Sequence, residues 1–101
     1  MIQYNQTVNI EASVEADWLK WMKEQQIPDM LATGMLIQAR IFRLLDIEES
    51  EGTATYAVQL MTETSEHLDI YQMKYEHALD RAHDKRYGNK AVSFRTTMKE
   101  V

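Results

Sequence analysis

The sequence predicts an α+β protein of the ferredoxin-like class, with the element order β-α-β-β-α-β. Four segments alternate apolar and polar residues, as strands do, and two segments repeat apolar residues every three or four positions, as helices do. The alternating segments span residues 2–10, 35–46, 53–62 and 90–99. The helical segments follow the first and the third of them. This order predicts a four-stranded antiparallel sheet with two helices on one face.

The first helix has a candidate start and two candidate ends. Ser13 can cap its N-terminus, because a serine oxygen can accept a free backbone N–H of the first turn. Pro28 is expected to end or bend this helix, since proline lacks a backbone N–H. Alternatively, Pro28 begins a short additional helix that ends before Gly34.

The second helix carries the clearest periodic pattern in the chain. Thr64 or Ser65 is predicted to begin it and Gly88 to end it. Its apolar positions follow spacings of three and four residues, which predicts that one stripe faces the sheet. The predicted stripe consists of Leu68, Tyr71, Tyr75, Ala78, Leu79 and Ala82.

Composition limits the kind of protein and its partners. The 101 residues predict a single domain, residues 1–101, with one modest core. The formal net charge of −5 argues against a nucleic-acid partner, because phosphate groups are repelled. The absence of cysteine excludes disulfides, thiolate zinc sites and a cysteine nucleophile. We see neither a signal peptide nor an apolar run near the ~20 residues of a membrane span, so a soluble cytoplasmic protein is expected.

The strand patterns predict a sheet face that the helices leave open. In the last strand, the residues predicted to face the helices are Val92, Phe94, Thr96 and Met98. Those predicted to face away are Ser93, Arg95, Thr97 and Lys99. The predicted open face consists of Asn5, Thr7, Phe42, Leu44, Ala57, Met61, Ser93, Arg95 and Thr97.

That open face is too apolar at its centre to remain bare. The sequence therefore predicts a homodimer that packs sheet on sheet, which is the dimeric α+β barrel arrangement. The alternative is a monomer whose open face is a mixture of polar and apolar side chains.

Several segments together resemble a known family of small bacterial proteins, the domain of unknown function 4286 (DUF4286). The similar segments are 4–9, 18–22, 27–28, 31–34, 39–45, 86–88 and 93–96, together with His77 and His83. Gln26 stands where members of that family often have histidine. The resemblance covers essentially the whole chain. It implies a ferredoxin-like, dimeric α+β barrel fold and no established activity.

No residue pattern predicts a catalytic or metal centre. The histidines His67, His77 and His83 all fall in the second helix, and no two have the i, i+4 spacing of a helical metal pair. The acidic turn at 46–51 lacks the ligand spacing of an EF-hand. We therefore predict no catalytic residue, no metal and no cofactor.

The candidate ligand-binding residues are polar or aromatic side chains near the enclosed face. Asn5, Arg40, Arg95 and Thr97 are predicted to share it, where they could bind a ligand or form a structural hydrogen-bond network. Trp21 lies at the edge of the first helix's apolar stripe and could contact a ligand or partner.

Three functional hypotheses follow. The first is a non-enzymatic homodimeric binding or interaction protein. The second is a small monooxygenase-like enzyme of the dimeric α+β barrel type, in which an asparagine of the first strand and a histidine of the second helix resemble the haem-degrading arrangement. The third is a ligand sensor, although the loop after the first strand, residues 11–13, lacks the glycine typical of such domains.

Overall fold

The computed structural model describes residues 1–48 and 52–101. Four antiparallel strands form one sheet in the order β2-β3-β1-β4, which confirms the predicted ferredoxin-like class. The strands are β1 Ile2–Glu11, β2 Gln38–Arg43, β3 Thr53–Thr62 and β4 Ala91–Lys99.

Each predicted helix is a pair of α-helices joined by a π-helical turn. The α-helices are α1 Glu15–Trp21, α2 Ile27–Ala32, α3 Ser65–Tyr71 and α4 His77–Tyr87. The π-helical turns are Met22–Gln26, between α1 and α2, and Gln72–Glu76, between α3 and α4. Short 3-10 turns at Ala12–Val14 and Gly88–Lys90 connect the helical layer to the sheet.

Local sequence signals placed the second helix correctly and the first helix only in part. Thr64 caps α3 by accepting the backbone N–H of His67, and Gly88 follows α4 with a φ of 47°. The prediction that Ser13 caps the first helix was wrong, because Val14 occupies that position. The Ser13 hydroxyl instead donates to the Glu11 carboxylate at 3.3 Å.

Pro28 neither ends nor breaks the first helical segment. It lies at the start of α2, where a proline needs no N–H partner, and Gly34 follows the helix with a φ of 78°. The preceding turn is wider than an α-helix, since the N–H of Ile27 reaches the carbonyl of Met22. This wider turn accommodates both the absent backbone N–H of Pro28 and the proline ring. Of the two predictions for Pro28, the one of a short additional helix is therefore closer to the structure.

The π-helical turn of the second helix shifts its buried stripe by one residue. Leu68 and Tyr71 are buried, and Tyr75 and Leu79 pack partly buried against the core, as predicted, but Ala78 and Ala82 are exposed. Beyond the turn, the side that faces the rest of the protein carries Glu76, Asp80, His83 and Tyr87. The prediction failed here because a uniform period of 3.6 residues cannot include the extra residue of a π-turn.

The core lies between the sheet and the helical layer. Its fully buried side chains include Trp18, Met22, Val8, Ile10, Val58 and Tyr71. Gln26 is also buried, and its Nε2 donates to the carbonyl of Leu79 at 2.9 Å. Gln26 therefore joins the two helical segments.

The predicted faces of β4 were wrong by one residue. Ser93 pairs with Val8 and Arg95 with Gln6, so Ser93, Arg95 and Thr97 share the helix side of the sheet with the core positions of β1. Val92, Phe94, Thr96 and Met98 lie on the open face. Arg95 fixes this register, because its guanidinium is paired with Glu76 and Asp80 of the helical layer.

The second strand is shorter than predicted. The segment predicted over 35–46 is a strand only over Gln38–Arg43, and Leu45 beyond it is exposed. Of the predicted acidic turn, residues 46–48 are exposed and residues 49–51 lie outside the described residues. None of the helices that the structure describes is both long enough and apolar enough to cross a membrane.

Replacing Thr64 tests the N-cap of α3. We expect Thr64→Ala to lower the free energy of unfolding by about 1 kcal/mol, because the N–H of His67 loses its acceptor. Ser65→Ala is the matched control, since Ser65 is the exposed first residue of α3. Denaturant unfolding at a fixed protein concentration measures both. Equal losses in the two variants would contradict the assigned cap.

Candidate functional site

A polar cleft lies between α4 and β4 on the helix side of the sheet. Its volume is about 160 Å³. Strand β1 contributes one side chain at its floor, β4 contributes three along one wall, and α4 contributes three along the other. The lining residues are Gln6, Ala91, Ser93, Arg95, Asp80, His83 and Asp84.

His83 is held in the cleft by a hydrogen bond from the core. The indole Nε1–H of the fully buried Trp18 donates to His83 Nε2 at 2.9 Å. An indole nitrogen can only donate, so His83 Nε2 must be the unprotonated nitrogen of the ring. In the neutral imidazole the proton therefore lies on Nδ1. The Nδ1 atom is 4.0 Å from the Asp84 carboxylate, which is beyond hydrogen-bonding distance.

Aromatic rings surround the rest of the His83 side chain. The rings of Tyr87 and Trp21 lie 5.4 Å and 6.0 Å from it. Burial lowers the pKa of His83, and the nearby Arg95 charge lowers it further, whereas Asp84 and Asp80 oppose the shift. The net effect favours the neutral imidazole that the Trp18 bond requires.

Arg95 is fixed by two carboxylates of the helical layer. Its Nη1 lies 3.3 Å from Glu76 Oε1, and its Nη2 donates to Asp80. The Tyr4 hydroxyl also donates to Glu76 Oε1, at 3.1 Å. Arg95 therefore serves as a link between β4 and the helices, and its charge is already compensated.

A side-chain hydrogen bond crosses the floor of the cleft. Gln6 Nε2 donates to Ser93 Oγ at 3.3 Å, which joins β1 to β4. Gln6 is the one polar residue among the otherwise apolar helix-facing positions of β1. Its position beside the cleft explains why the apolar pattern of that strand is interrupted there.

The open face of the sheet is a second candidate surface. Where all four strands pair, a cross-strand row contains one residue from every strand, and one such row is Phe42, Ala57, Thr7 and Phe94. The adjacent row is Arg40, Gln59, Asn5 and Thr96. Phe42 and Phe94 are 42% and 64% exposed, so apolar rings stand at both ends of a row whose centre is small.

The structure separates the predicted ligand-binding residues into three places. Asn5 and Arg40 share the open face, with Gln59 between them. Arg95 and Thr97 lie on the opposite side of the sheet, so the prediction that all four share one face was wrong. Trp21 packs near Tyr87, with the Arg86 guanidinium 5.3 Å from its ring centre. A ligand-binding role for these residues stays a prediction.

Sequence reasoning missed His83, Asp80 and Gln6 as neighbours. The sequence does contain a pattern that could have indicated this. The spacing of three and four residues places four non-aliphatic side chains on one side of the helix, namely Glu76, Asp80, His83 and Tyr87. Within residues 1–48 and 52–101, no group of three or more His, Asp or Glu side chains is arranged to hold a metal ion.

The hydrogen bond between Trp18 and His83 predicts an acid-sensitive stability. The unfolded chain binds a proton at the ordinary histidine pKa of 6.5, whereas His83 in the folded chain binds it less readily. Acid therefore favours the unfolded state, and this part of the stability is complete above about pH 6.5 and is lost as the pH falls below it. Urea unfolding at several pH values from about 7.5 to about 5.5 measures the effect.

Glutamine variants supply the controls for this measurement. His83→Gln keeps an acceptor for Trp18 without a titratable ring, so we expect a flatter pH dependence. His77→Gln removes an exposed imidazole from the same helix, and we expect it to retain the parent's slope. An unchanged slope in His83→Gln would assign the pH dependence to other groups.

Solved structures with the same fold have very different sequences. HapK from Hahella chejuensis has a TM-score of 0.73 at 7% identity, covering 100% of this chain and 93% of that one. A variant of MhuD with two manganese protoporphyrin IX molecules per active site has a TM-score of 0.73 at 12% identity, covering 100% and 95%. A dimeric ferredoxin-like protein from an uncultured marine organism has a TM-score of 0.62 at 11% identity, covering 100% and 97%.

At these identities the likeness shows the fold alone. A search of curated protein sequences finds no match to the chain. A family model described as "Domain of unknown function (DUF4286)" matches residues 1–101. This match spans every element of the sheet and the helical layer, and on that basis the chain belongs to the DUF4286 family.

Proposed function

We propose that the protein is a homodimeric binding protein whose two sheets pack face to face. The observation that carries this proposal is the apolar open face of the sheet. Its exposed apolar side chains are Phe42, Val92, Phe94 and Met98. Leaving such a patch in water is unfavourable, and patches of this kind generally mark an interface.

The remainder of the open face suits burial against a second sheet. The central strands carry neutral side chains there, including Asn5 and Thr7 on β1 and Ala57 and Gln59 on β3. Burying them removes no charge from water, because amides and hydroxyls can be satisfied by hydrogen bonds. Arg40 lies on the edge strand β2 with its guanidinium 5.3 Å from the Phe42 ring centre, so its charge can remain near the rim.

The comparisons agree with a dimer without locating its interface. Two of the matched structures are described as dimeric ferredoxin-like proteins. A closed two-fold arrangement is the commonest way for a small protein to bury one self-complementary surface. The proposal includes no nucleic-acid partner, because the net charge is −5. A cytoplasmic location stays a prediction from the sequence.

A charged substitution on the open face tests the dimer. We expect the parent protein to show about twice the monomer mass of 11.9 kDa by light scattering behind size exclusion. Phe94→Glu should reduce the mass to that of one chain, because each interface would bury two unpaired carboxylates.

Met73→Glu is the matched control for this experiment. It adds the same charge at a side chain that is 84% exposed on the helical layer, away from the sheet. We expect this variant to keep the parent's mass. A parent protein that is monomeric at working concentrations, or an equal loss of mass in both variants, would refute sheet-on-sheet packing.

A monooxygenase-like enzyme is the alternative function, and the cleft is the observation that favours it. His83 of α4 and Gln6 of β1 line the same cleft, whereas the two asparagines of β1, Asn5 and Asn9, lie on the opposite face. Haem does not fit these residues, because His83 Nε2 is occupied by Trp18 and Nδ1 carries the proton. The cleft of about 160 Å³ is also well below the ~300–1,000 Å³ of typical cofactor sites.

Titration with haem therefore tests the enzyme alternative. We expect no Soret shift at equimolar haem, since the cleft offers neither a free imidazole lone pair nor sufficient room. His83→Ala is the control that assigns any signal to this site. A Soret shift in the parent that disappears in His83→Ala would favour the haem alternative, and turnover of any substrate would overturn the non-enzymatic proposal.

A further inference from the structure

The polar cleft between α4 and β4 is separate from the proposed dimer surface. The sheet lies between the two, because Ser93 and Arg95 face the helices and Phe94 faces the opposite way. We propose that this cleft binds a small neutral or cationic molecule with hydroxyl or amino groups. His83 Nδ1–H donates to an oxygen of the ligand, and Asp80 and Asp84 accept from its hydroxyl or amino groups.

The first argument is the fixed proton of His83. Trp18 occupies Nε2, which leaves Nδ1 as the ring nitrogen available to a ligand. That nitrogen is a donor without a hydrogen-bond acceptor among residues 1–48 and 52–101. The His83 side chain is half-buried, and a donor that lines a cavity without a protein acceptor is available to a ligand or water oxygen in front of it. His83 is therefore a donor to the ligand and neither a metal ligand nor a general base.

The second argument is the charge of the cleft. Two carboxylates, Asp80 and Asp84, line it against one guanidinium, Arg95. Arg95 is also paired with Glu76, so its positive charge is already compensated. The resulting field is negative, which disfavours an anion and favours a neutral or cationic molecule.

The third argument is the unused hydrogen-bonding capacity at the floor. The Gln6 amide donates to Ser93 Oγ, and this bond uses one donor of Gln6 and one acceptor of Ser93. The Gln6 carbonyl and the Ser93 hydroxyl hydrogen have no hydrogen-bond partner in the part of the chain that the structure describes. The cleft thus presents both acceptors and donors, which matches the mixed groups of a polyol or an amino alcohol.

Three probes of similar size and different charge test the proposal. Ethanolamine, glycerol and acetate are each titrated into isotope-labelled protein, and the NMR signals of His83, Asp84 and Ser93 are followed. We expect ethanolamine to bind about tenfold more tightly than acetate, with glycerol between them, because the cleft is negative. The ring nitrogen spectrum should show His83 protonated at Nδ1.

Asp84→Asn should weaken ethanolamine binding about threefold and leave glycerol binding nearly unchanged, since only the charge of a largely exposed carboxylate is removed. Asp69→Asn is the matched control, because Asp69 is an exposed acid of α3 outside the cleft. Acetate binding as tight as ethanolamine, no shifts with any probe, or a proton on Nε2 would each overturn the proposal. Repeating the titration with Phe94→Glu keeps this test independent of dimerisation.

Discussion

The hydrogen bond between Trp18 and His83 is the interaction on which the helical layer depends. The Trp18 indole is fully buried, and a buried N–H without an acceptor costs about 1–3 kcal/mol. Its acceptor lies on α4, 65 residues further along the chain. The bond therefore fixes α4 against α1. Since the indole only donates, the same bond also determines which ring nitrogen of His83 faces the cleft.

The polar cleft and the apolar open face lie on opposite sides of the same sheet. Along β1, Gln6 faces the cleft and Asn5 the open face, and along β4 Ser93 and Phe94 alternate in the same way. A ligand in the cleft and a second copy on the open face would therefore never touch. They could influence each other only through the backbone of these two strands.

The sequence was sufficient where structure is decided locally, and it was insufficient where distant residues decide. Alternation and helical periodicity predicted the element order. The start of the second helix was narrowed to Thr64 or Ser65 and its end to Gly88, because cap chemistry depends on a few neighbouring residues. The faces of β4 were misassigned because its apolar side was expected to face the core. Arg95 is held on the helix side by Glu76 and Asp80, which belong to the helical layer and not to β4. The cleft could not be predicted because its lining depends on this register of β4.

The π-helical turns make the number of residues in each helical segment as important as their identity. A continuous α-helix turns about 100° per residue. Deleting one residue from Gln72–Glu76 would rotate α4 by that angle relative to α3 and would carry His83 away from Trp18. Substitutions on the outer side of this segment leave the rotation of α4 relative to α3 unchanged. Homologues should therefore vary freely there in sequence, yet preserve the spacing between Thr64 and His83 through evolution.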